Sequence, residues 1–418
     1  MTLPRRALVL GLARSGQAAA LALARRGVDV VGVDRSAAVE TGRLAEAGVE
    51  VRLGTEEDSL LDAADVVVKS PGVPGDAPLV AAARGRGVPV WSELELGARL
   101  LDNPIVAVTG TNGKTTTAEL LGAIFRAAGR PAEVAGNVGT PLTDVAERVD
   151  ATTTIVCELS SFQLEDTVAL VPEAAALLNL DPDHLDRHGS FEAYRRAKLR
   201  VFENQREGST AVVPRRFGEI PGGARRVEFA AADPLPAEPF IRGAHNRENA
   251  AAATAAARAA GADDAEIAAA LRSFPGVPHR LELVGEVAGV RYVNDSKATN
   301  VAAARRALAA YADEPVRLIL GGSLKGEDFA PLASDLGSNV RSVYLIGDAS
   351  DELARALDAA GVAYERAGDL AAAVAAASGA AQPGDVVLLS PACASYDQFR
   401  DFEQRGDLFR GLVRGLGR

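Results

Sequence analysis

The sequence predicts an α/β protein of three domains, and three observations carry the prediction. Its 418 residues exceed what one hydrophobic core organises and suit about three domains at ~100 to 200 residues each. Short apolar runs alternate with helix-like segments over most of the chain, the order that builds sheets of mainly parallel strands. The alternation falls into three blocks, 1–92, 93–276 and 277–418.

In the first block, residues 7–10 read as a strand, 11–16 as a glycine turn, 17–25 as a helix and 28–33 as a second strand ending at Asp34. Strand, turn, helix, strand and acid is the Rossmann-like order. "GLARSG" nevertheless carries Ala13 where G-x-G-x-x-G has glycine, which weakens a nicotinamide-dinucleotide reading. The block runs on through a strand at 66–68 and the loop "KSPGVPGDAP".

The second block begins with "VTGTNGKTTT" (108–117), where an apolar strand at 105–108 runs into small residues whose N–H groups can cradle phosphate. A helix follows, and its N-terminus favours anions. The spacing is not that of G-x-x-x-x-G-K-[ST]: Val108 stands where the first glycine belongs, and the glycine here is Gly110. Lys114 would reach terminal phosphates and the Thr115 hydroxyl would ligate Mg²⁺. Further strands at 152–158 and 174–180 end in polar chemistry, Glu158 and the loop "DPDHLDRH", where ligands collect in open α/β sheets. Residues 214–239 read as an irregular excursion, and the alanine-dense stretch 248–271 as a pair of packed helices. In the third block, strands at 316–322, 342–347 and 385–391 alternate with helices, which predicts another small α/β sheet.

Composition narrows the function classes. A formal charge of -11 argues against a general nucleic-acid binder, which needs surplus Lys and Arg. Two cysteines, Cys157 and Cys393, fit a reducing cytoplasm better than a disulfide scaffold. The opening residues imitate a signal peptide, but Arg14 interrupts the apolar core, and no run of about 18 apolar residues predicts a membrane span. Of the 45 basic residues, 40 are arginine and only Lys69, Lys114, Lys198, Lys297 and Lys325 are lysine. A lysine in such a chain marks a place where a compact amine is needed.

Several constellations could carry chemistry. Glu158 closes an apolar strand beside the phosphate loop, as a Mg²⁺-partnering acid would, or it caps the next helix with Ser160 and Ser161. In "SFEAYRRAKLRVFEN", Phe191, Tyr194, Lys198, Val201 and Phe202 share one helical stripe, with Arg196 and Arg200 pointing away. An inward ammonium at Lys198 would pair with a carboxylate or react with carbon dioxide to give a metal-binding carbamate; a packed stem with its amine in water is the third possibility. His184 lies among Asp181, Asp183 and Asp186 as a metal ligand or substrate contact. His245 and His279, with Asn246, Asn249 and Arg280, gather polar groups at the junction of the second and third blocks. Asp295, Lys297 and Thr299 in "NDSKATN", Lys325 in "GGSLKG", and Ser390, Ser395 and Tyr396 in "SPACASYDQF" would suit a small substrate bearing carboxylates.

On these residues the chain resembles the Mur ligases. "GTNGKTTT" alone is similar to the loop of Mur ligases and folylpolyglutamate synthases; "ELSSFQLE", "NDSKATN" and "SPACASYDQF" together are similar to the D-glutamate-adding branch, and the likeness runs essentially the whole chain. The resemblance implies a Rossmann-like N-terminal domain holding a UDP group, a central phosphate-loop ATPase domain and a Rossmann-like C-terminal domain, closing about junctions near residues 92 and 276. It implies an ATP-dependent ligase that adds D-glutamate to UDP-N-acetylmuramoyl-L-alanine in cytoplasmic peptidoglycan precursor synthesis. Mg²⁺ at two sites, a carbamate on Lys198 and a monomeric state belong to that expectation, with no nucleic acid and no membrane span.

By motif match, Gly110, Asn112, Gly113, Lys114, Thr115, Thr116, Asn246, Asn249, Arg280 and Asp295 would bind ATP. Thr115, Glu158, His184 and carbamylated Lys198 would hold metal, with Lys114, Glu158, His184 and Lys198 catalytic. Ala13, Arg14, Asp34, Arg35, Ser70, Gly72, Asn137, Ser160 and Gln163 would meet the UDP substrate; Lys297, Thr299, Lys325, Ser395 and Tyr396 would meet D-glutamate. Ala13, the "GGSLKG" spacing and Tyr396 depart from the family's commoner residues. The nearest alternative is another Mur-type or folylpolyglutamate-type ligase. A dehydrogenase would need the first glycine motif intact, and a phosphate-loop switch would have no use for the third-block amines.

Overall fold

The computed structural model describes residues 3–137, 139–324 and 326–417. They form two compact units, one running to Pro239 together with His245–Phe274, the other Phe240–Ala244 with the chain from Pro275 on.

The first unit holds two sheets. Strands β1 (Arg6–Leu10), β2 (Asp29–Asp34), β3 (Glu50–Leu53), β4 (Val66–Lys69) and β5 (Val90–Ser92) pair in the order β3-β2-β1-β4-β5, all parallel. Parallel strands are buried on both faces. Ala7 and Val9 accordingly join one apolar cluster and Leu8 and Leu10 another. Strand order reverses beside β1, and a crevice at the carboxyl end of such a switch point is where ligands bind.

Strands β6 (Ile105–Thr109), β7 (Ala132–Gly136), β8 (Thr154–Glu158), β9 (Ala174–Leu177), β10 (Thr210–Pro214) and β11 (Arg225–Phe229) form the second sheet, β11-β10-β9-β6-β8-β7, again all parallel. The phosphate-type loop leaves the carboxyl end of β6, a central strand.

The second unit holds β12 (Glu282–Val287), β13 (Val290–Asn294), β14 (Val316–Gly321), β15 (Val340–Ile346), β16 (Glu365–Gly368) and β17 (Val386–Leu389), ordered β12-β13-β17-β14-β15-β16. Only the β12–β13 pair is antiparallel. Leu318, Leu320 and Leu388 pack on one face, and Ile319, Tyr344 and Leu389 on the other.

The architecture is the expected α/β one, and the alanine-dense stretch does form two helices, Ala244–Ala259 and Asp264–Ser273. Four local expectations are corrected. The first helix starts at Arg14, inside the expected glycine turn, because Ala13 serves as its extended cap. The "irregular" stretch 214–239 contains β11, whose sequence RRVEF is mostly exposed; a charged edge strand lacks the apolar signature yet discourages edge-to-edge pairing. Phe191 is exposed rather than on the buried stripe of its helix. Arg200 does not point away: Nε donates to the Leu164 carbonyl (2.8 Å) and Nη2 to that of Thr167 (2.5 Å). Among the described residues no helix is long and apolar enough to cross a membrane.

Candidate active site

The loop after β6 is shaped by its neighbours as much as by its own residues. Gly113, the residue before helix Lys114–Ala127, has φ +85°, and a Cβ there would stand 2.2 Å from Asn249 Oδ1; backbone and neighbour together demand glycine. Asn179, just past β9, clamps the loop: its carbonyl accepts from Thr111 N (3.0 Å), its Oδ1 from Asn112 N (2.8 Å), and its Nδ2 donates to the Asn112 carbonyl (3.2 Å). The Thr111 and Tyr194 hydroxyls lie 2.8 Å apart. Lys114 is folded back, its Nζ donating to the carbonyls of Gly110 (3.0 Å) and Thr111 (2.9 Å). An incoming phosphate oxygen would replace those carbonyls as partner. Thr115 and Thr116 are buried in the first helical turn, and Asn246 and Asn249 are buried on the alanine-rich helix, with Asn249 against the loop. Sequence reading missed Asn179; its only signal was an amide at a strand end.

Glu158 ends β8 at 2% exposure and holds Asn137 at two points, its Oε1 accepting from Asn137 Nδ2 (3.0 Å) and its carbonyl from Asn137 N (2.8 Å). The helix Ser161–Leu164 is capped by Ser160, not by Glu158. Ser160 Oγ accepts from Gln163 N (3.3 Å) while Gln163 Oε1 accepts from Ser160 N (3.0 Å), a capping box that holds both residues and leaves the Glu158 carboxylate for other work.

Lys198 is buried, as its stripe predicted, with its Nζ 5.0 Å from the centre of the Tyr194 ring. Burial first, and then the Lys114 charge, pull its pKa down to about 7, against the opposing pull of Asp183 and Glu158. Near neutrality about half of such amines carry no proton. His184 has a left-handed backbone (φ 51°), a half-exposed ring 4.9 Å from that of Phe162, and Asp183 Oδ2 3.5 Å from its Nε2. His188, given no role by sequence, is the buried one, with Nε2 2.9 Å from Ser161 Oγ and Nδ1 3.1 Å from Glu165 Oε1. Among the described residues no three His, Cys, Asp or Glu side chains converge on one point.

In the first sheet, Ala13 adopts φ -67° and ψ -175°, extended backbone that any residue tolerates. Glycine is required instead at Gly16, where a Cβ would fall 1.7 Å from the Gly11 carbonyl oxygen. The departure at Ala13 therefore leaves the turn undisturbed. Asp34 fastens the turn from across the sheet, accepting from Leu12 N (2.7 Å) and Ser36 N (2.8 Å). Arg14 is exposed and Arg35 pairs with Glu56 at 2.7 Å. Ser70 is buried after β4, its N–H bonded to the Leu10 carbonyl (2.9 Å), and Gly72 follows in the same loop. Lys69 is fully buried and its Nζ lies 3.0 Å from Asp166 Oδ2, an ionic contact whose angles are too bent for a hydrogen bond.

In the second unit, half-buried Arg280 sits between two residues in the left-handed region, His279 (φ 61°) and Leu281 (φ 44°), strain of the kind that collects at functional sites. Asp295 is buried, accepting from Leu281 N (3.1 Å) and Ser390 Oγ (2.8 Å). Desolvation pushes its carboxyl up to about 7. Lys297 and Thr299 lie half-buried on the following loop, Ser395 is buried and Tyr396 is 72% exposed. Lys325 lies outside the described residues. One arginine knits these loops together and was missed, because forty arginines hide one. Fully buried Arg405 donates Nε to Ser296 Oγ (2.9 Å), Nη2 to the carbonyls of Ser296 (2.8 Å) and Cys393 (3.1 Å), and Nη1 to those of Ala394 (3.1 Å) and Gly321 (3.4 Å).

Fold and site define an α/β protein with a glycine-bearing strand-to-helix loop of phosphate-binding type, a buried acid and a buried lysine beside it, and two further α/β sheets. Residues 5–92 match the Mur ligase MurD-like N-terminal domain, 108–219 the Mur ligase middle domain and 279–393 the Mur ligase glutamate ligase domain. The chain is 43% identical to the "UDP-N-acetylmuramoylalanine--D-glutamate ligase" of Geobacter metallireducens, over 98% of this chain and 97% of that protein. It is 44% identical to the protein of the same name from Anaeromyxobacter dehalogenans, over 98% and 97%. Among solved structures, the MurF ligase of Thermotoga maritima, in complex with ADP, is similar at a TM-score of 0.59 and 17% identity, covering 93% of this chain and 95% of that one, a likeness of fold. The chain belongs to the Mur ligase family, on the branch of the UDP-N-acetylmuramoylalanine--D-glutamate ligases.

Proposed function

We propose that the chain is an ATP-dependent, ADP-forming ligase that joins D-glutamate to UDP-N-acetylmuramoyl-L-alanine, a step of cytoplasmic peptidoglycan precursor synthesis. The observation that carries this reading is the gathering of Lys114, the buried Glu158 carboxylate and the buried Lys198 amine around the loop after β6. The terminal alanine carboxylate takes a phosphoryl group from ATP, the D-glutamate amine attacks the acyl phosphate, and the tetrahedral adduct collapses to amide and phosphate.

Lys114 leaves its loop carbonyls for the phosphates, where its charge opposes the negative charge that accumulates on phosphoryl oxygens. Gly110, Asn112, Gly113 and Thr116 line the loop; Asn246 and Asn249 contact the nucleotide, as do Arg280 and Asp295 from the second unit. Ala13, Arg14, Asp34, Arg35, Ser70, Gly72, Asn137, Ser160 and Gln163 take the UDP substrate, while Lys297, Thr299, Ser395 and Tyr396 take D-glutamate. The residues fit Mg²⁺: the Thr115 hydroxyl and the buried Glu158 carboxylate are hard oxygen donors, and the absence of a convergent acidic cluster among the described residues suits a cation that keeps waters and phosphate oxygens. His184 and a carbamate on Lys198 complete the proposed ligands at two sites, and the bound cation would neutralise phosphate charge.

Phosphate release from ATP tests the reading, with UDP-N-acetylmuramoyl-L-alanine present and D-glutamate, L-glutamate, L-lysine or meso-diaminopimelate added in turn. Release that requires the UDP substrate and D-glutamate together is expected. Release independent of any amino acid would reassign the loop to a hydrolase or switch.

A further inference from the structure

The loop after β4 carries Ser70 and Gly72, and its backbone is held from outside by side chains of three other segments. Arg187, on the short helix Leu185–His188, donates Nη1 to the Pro71 carbonyl (3.1 Å) and Nη2 to the Val73 carbonyl (3.2 Å). Arg84 donates to the Gly75 carbonyl at 2.6 Å, and Lys69 reaches Val73 O at 3.4 Å. The Arg187 guanidinium also lies 3.7 Å over the Phe162 ring, while its Nε is buried with no hydrogen-bond partner. A planar cation stacked on an aromatic face and forked onto two carbonyls is pre-organised in a way lysine cannot copy. Its helix begins directly after His184, so the same short segment bears both groups.

We propose that Arg187 is a positioning residue for the UDP-bearing substrate: it fixes residues 71–73 in the shape that presents Ser70 and Gly72, and couples that loop to the segment carrying His184. The substrate assignment rests on the ligase reading; the clamp itself does not.

Two full-length variants test it. Arg187→Met keeps an unbranched stem over Phe162 and removes both donors, and Arg187→Lys offers one ammonium for two carbonyls. Amide hydrogen exchange across residues 70–77 without ligand is expected to quicken in Arg187→Met. Calorimetric Kd and kinetic KM for UDP-N-acetylmuramoyl-L-alanine should rise about tenfold or more, the scale of losing charge-assisted bonds, with KM for ATP unchanged and Arg187→Lys in between. Wild-type exchange together with wild-type Kd in a folded Arg187→Met overturns the proposal. So does an equal rise of every KM accompanied by a fall in Tm, which marks general damage. If Arg187→Met does not fold, Arg187→Lys decides by the same exchange and Kd criteria. A wild-type chain that fails to bind the UDP substrate counts against the ligase reading, and the exchange comparison still decides the clamp.

Discussion

Replacing Arg405 with lysine keeps a positive charge and removes the fork around which three loops of the second unit are assembled. Arg405 reaches Ser296 on the first, Gly321 on the second, and Cys393 and Ala394 on the third. Burial lowers the guanidinium only to about 10, so it is charged at neutral pH. A lysine ammonium is a single point and satisfies at most one of those loops, leaving two or more buried carbonyls without donors. At about 1–3 kcal/mol for each orphaned group, the loss is about 3–5 kcal/mol, the range seen when a buried charged network is broken. For a unit of this size that is a fall in Tm of roughly 6 to 20 °C. Scanning calorimetry of the full chain at neutral pH reads this directly, and KM for D-glutamate should rise because Lys297 and Ser395 stand on the loops that loosen. A Tm within about 2 °C of wild type, with KM unchanged, would refute the reasoning that Arg405 organises these loops.

Three further outcomes are expected. With ¹³C-bicarbonate, a carbamate resonance should grow from pH 6 to pH 8 as the Lys198 amine loses its proton around pH 7, and vanish in Lys198→Met; a resonance indifferent to that change would sink the assignment. Asp295, raised to about 7, holds a proton in the folded state between pH 4 and 7 that the unfolded chain has released, so it contributes against stability increasingly as pH rises through that window. Asp295→Asn should therefore raise the Tm of the second unit at pH 8 and barely alter it at pH 4, while lowering activity; equal melting curves at pH 8 would contradict this. Gly16→Ala drives a methyl against the Gly11 carbonyl, and should weaken binding of the UDP substrate by about tenfold or unfold the first sheet, read by calorimetry, whereas Ala13→Gly should leave binding near wild type.

The sheets were legible wherever a strand is buried on both faces. The runs at β6, β9 and β17 are almost wholly apolar, and period alone marks them. The short edge strands β3 and β16 and the charged β11 are half in water, so their side chains obey solvent more than sheet. At the site, Lys198 was readable because one lysine among arginines on an apolar stripe has few explanations. Asn179, Arg187 and Arg405 were not, because each acts by bonding backbone carbonyls or amides far away in sequence, and a carbonyl has no letter. The S-x-x-Q spacing of Ser160 and Gln163 was legible as a helix cap, and the structure forms that cap.

The scarcity of lysine reaches beyond the site. Lys69 and Lys198 are buried, Lys114 is bonded to its own loop, and Lys297 is half-buried over the Phe402 ring. This chain carries nearly all of its positive charge on guanidinium groups, 40 of its 45 basic residues being arginine, and acetyl donors do not modify them. Among the described lysines, every amine is buried, half-buried or bonded to its own loop, so none stands on the surface as a dispensable target.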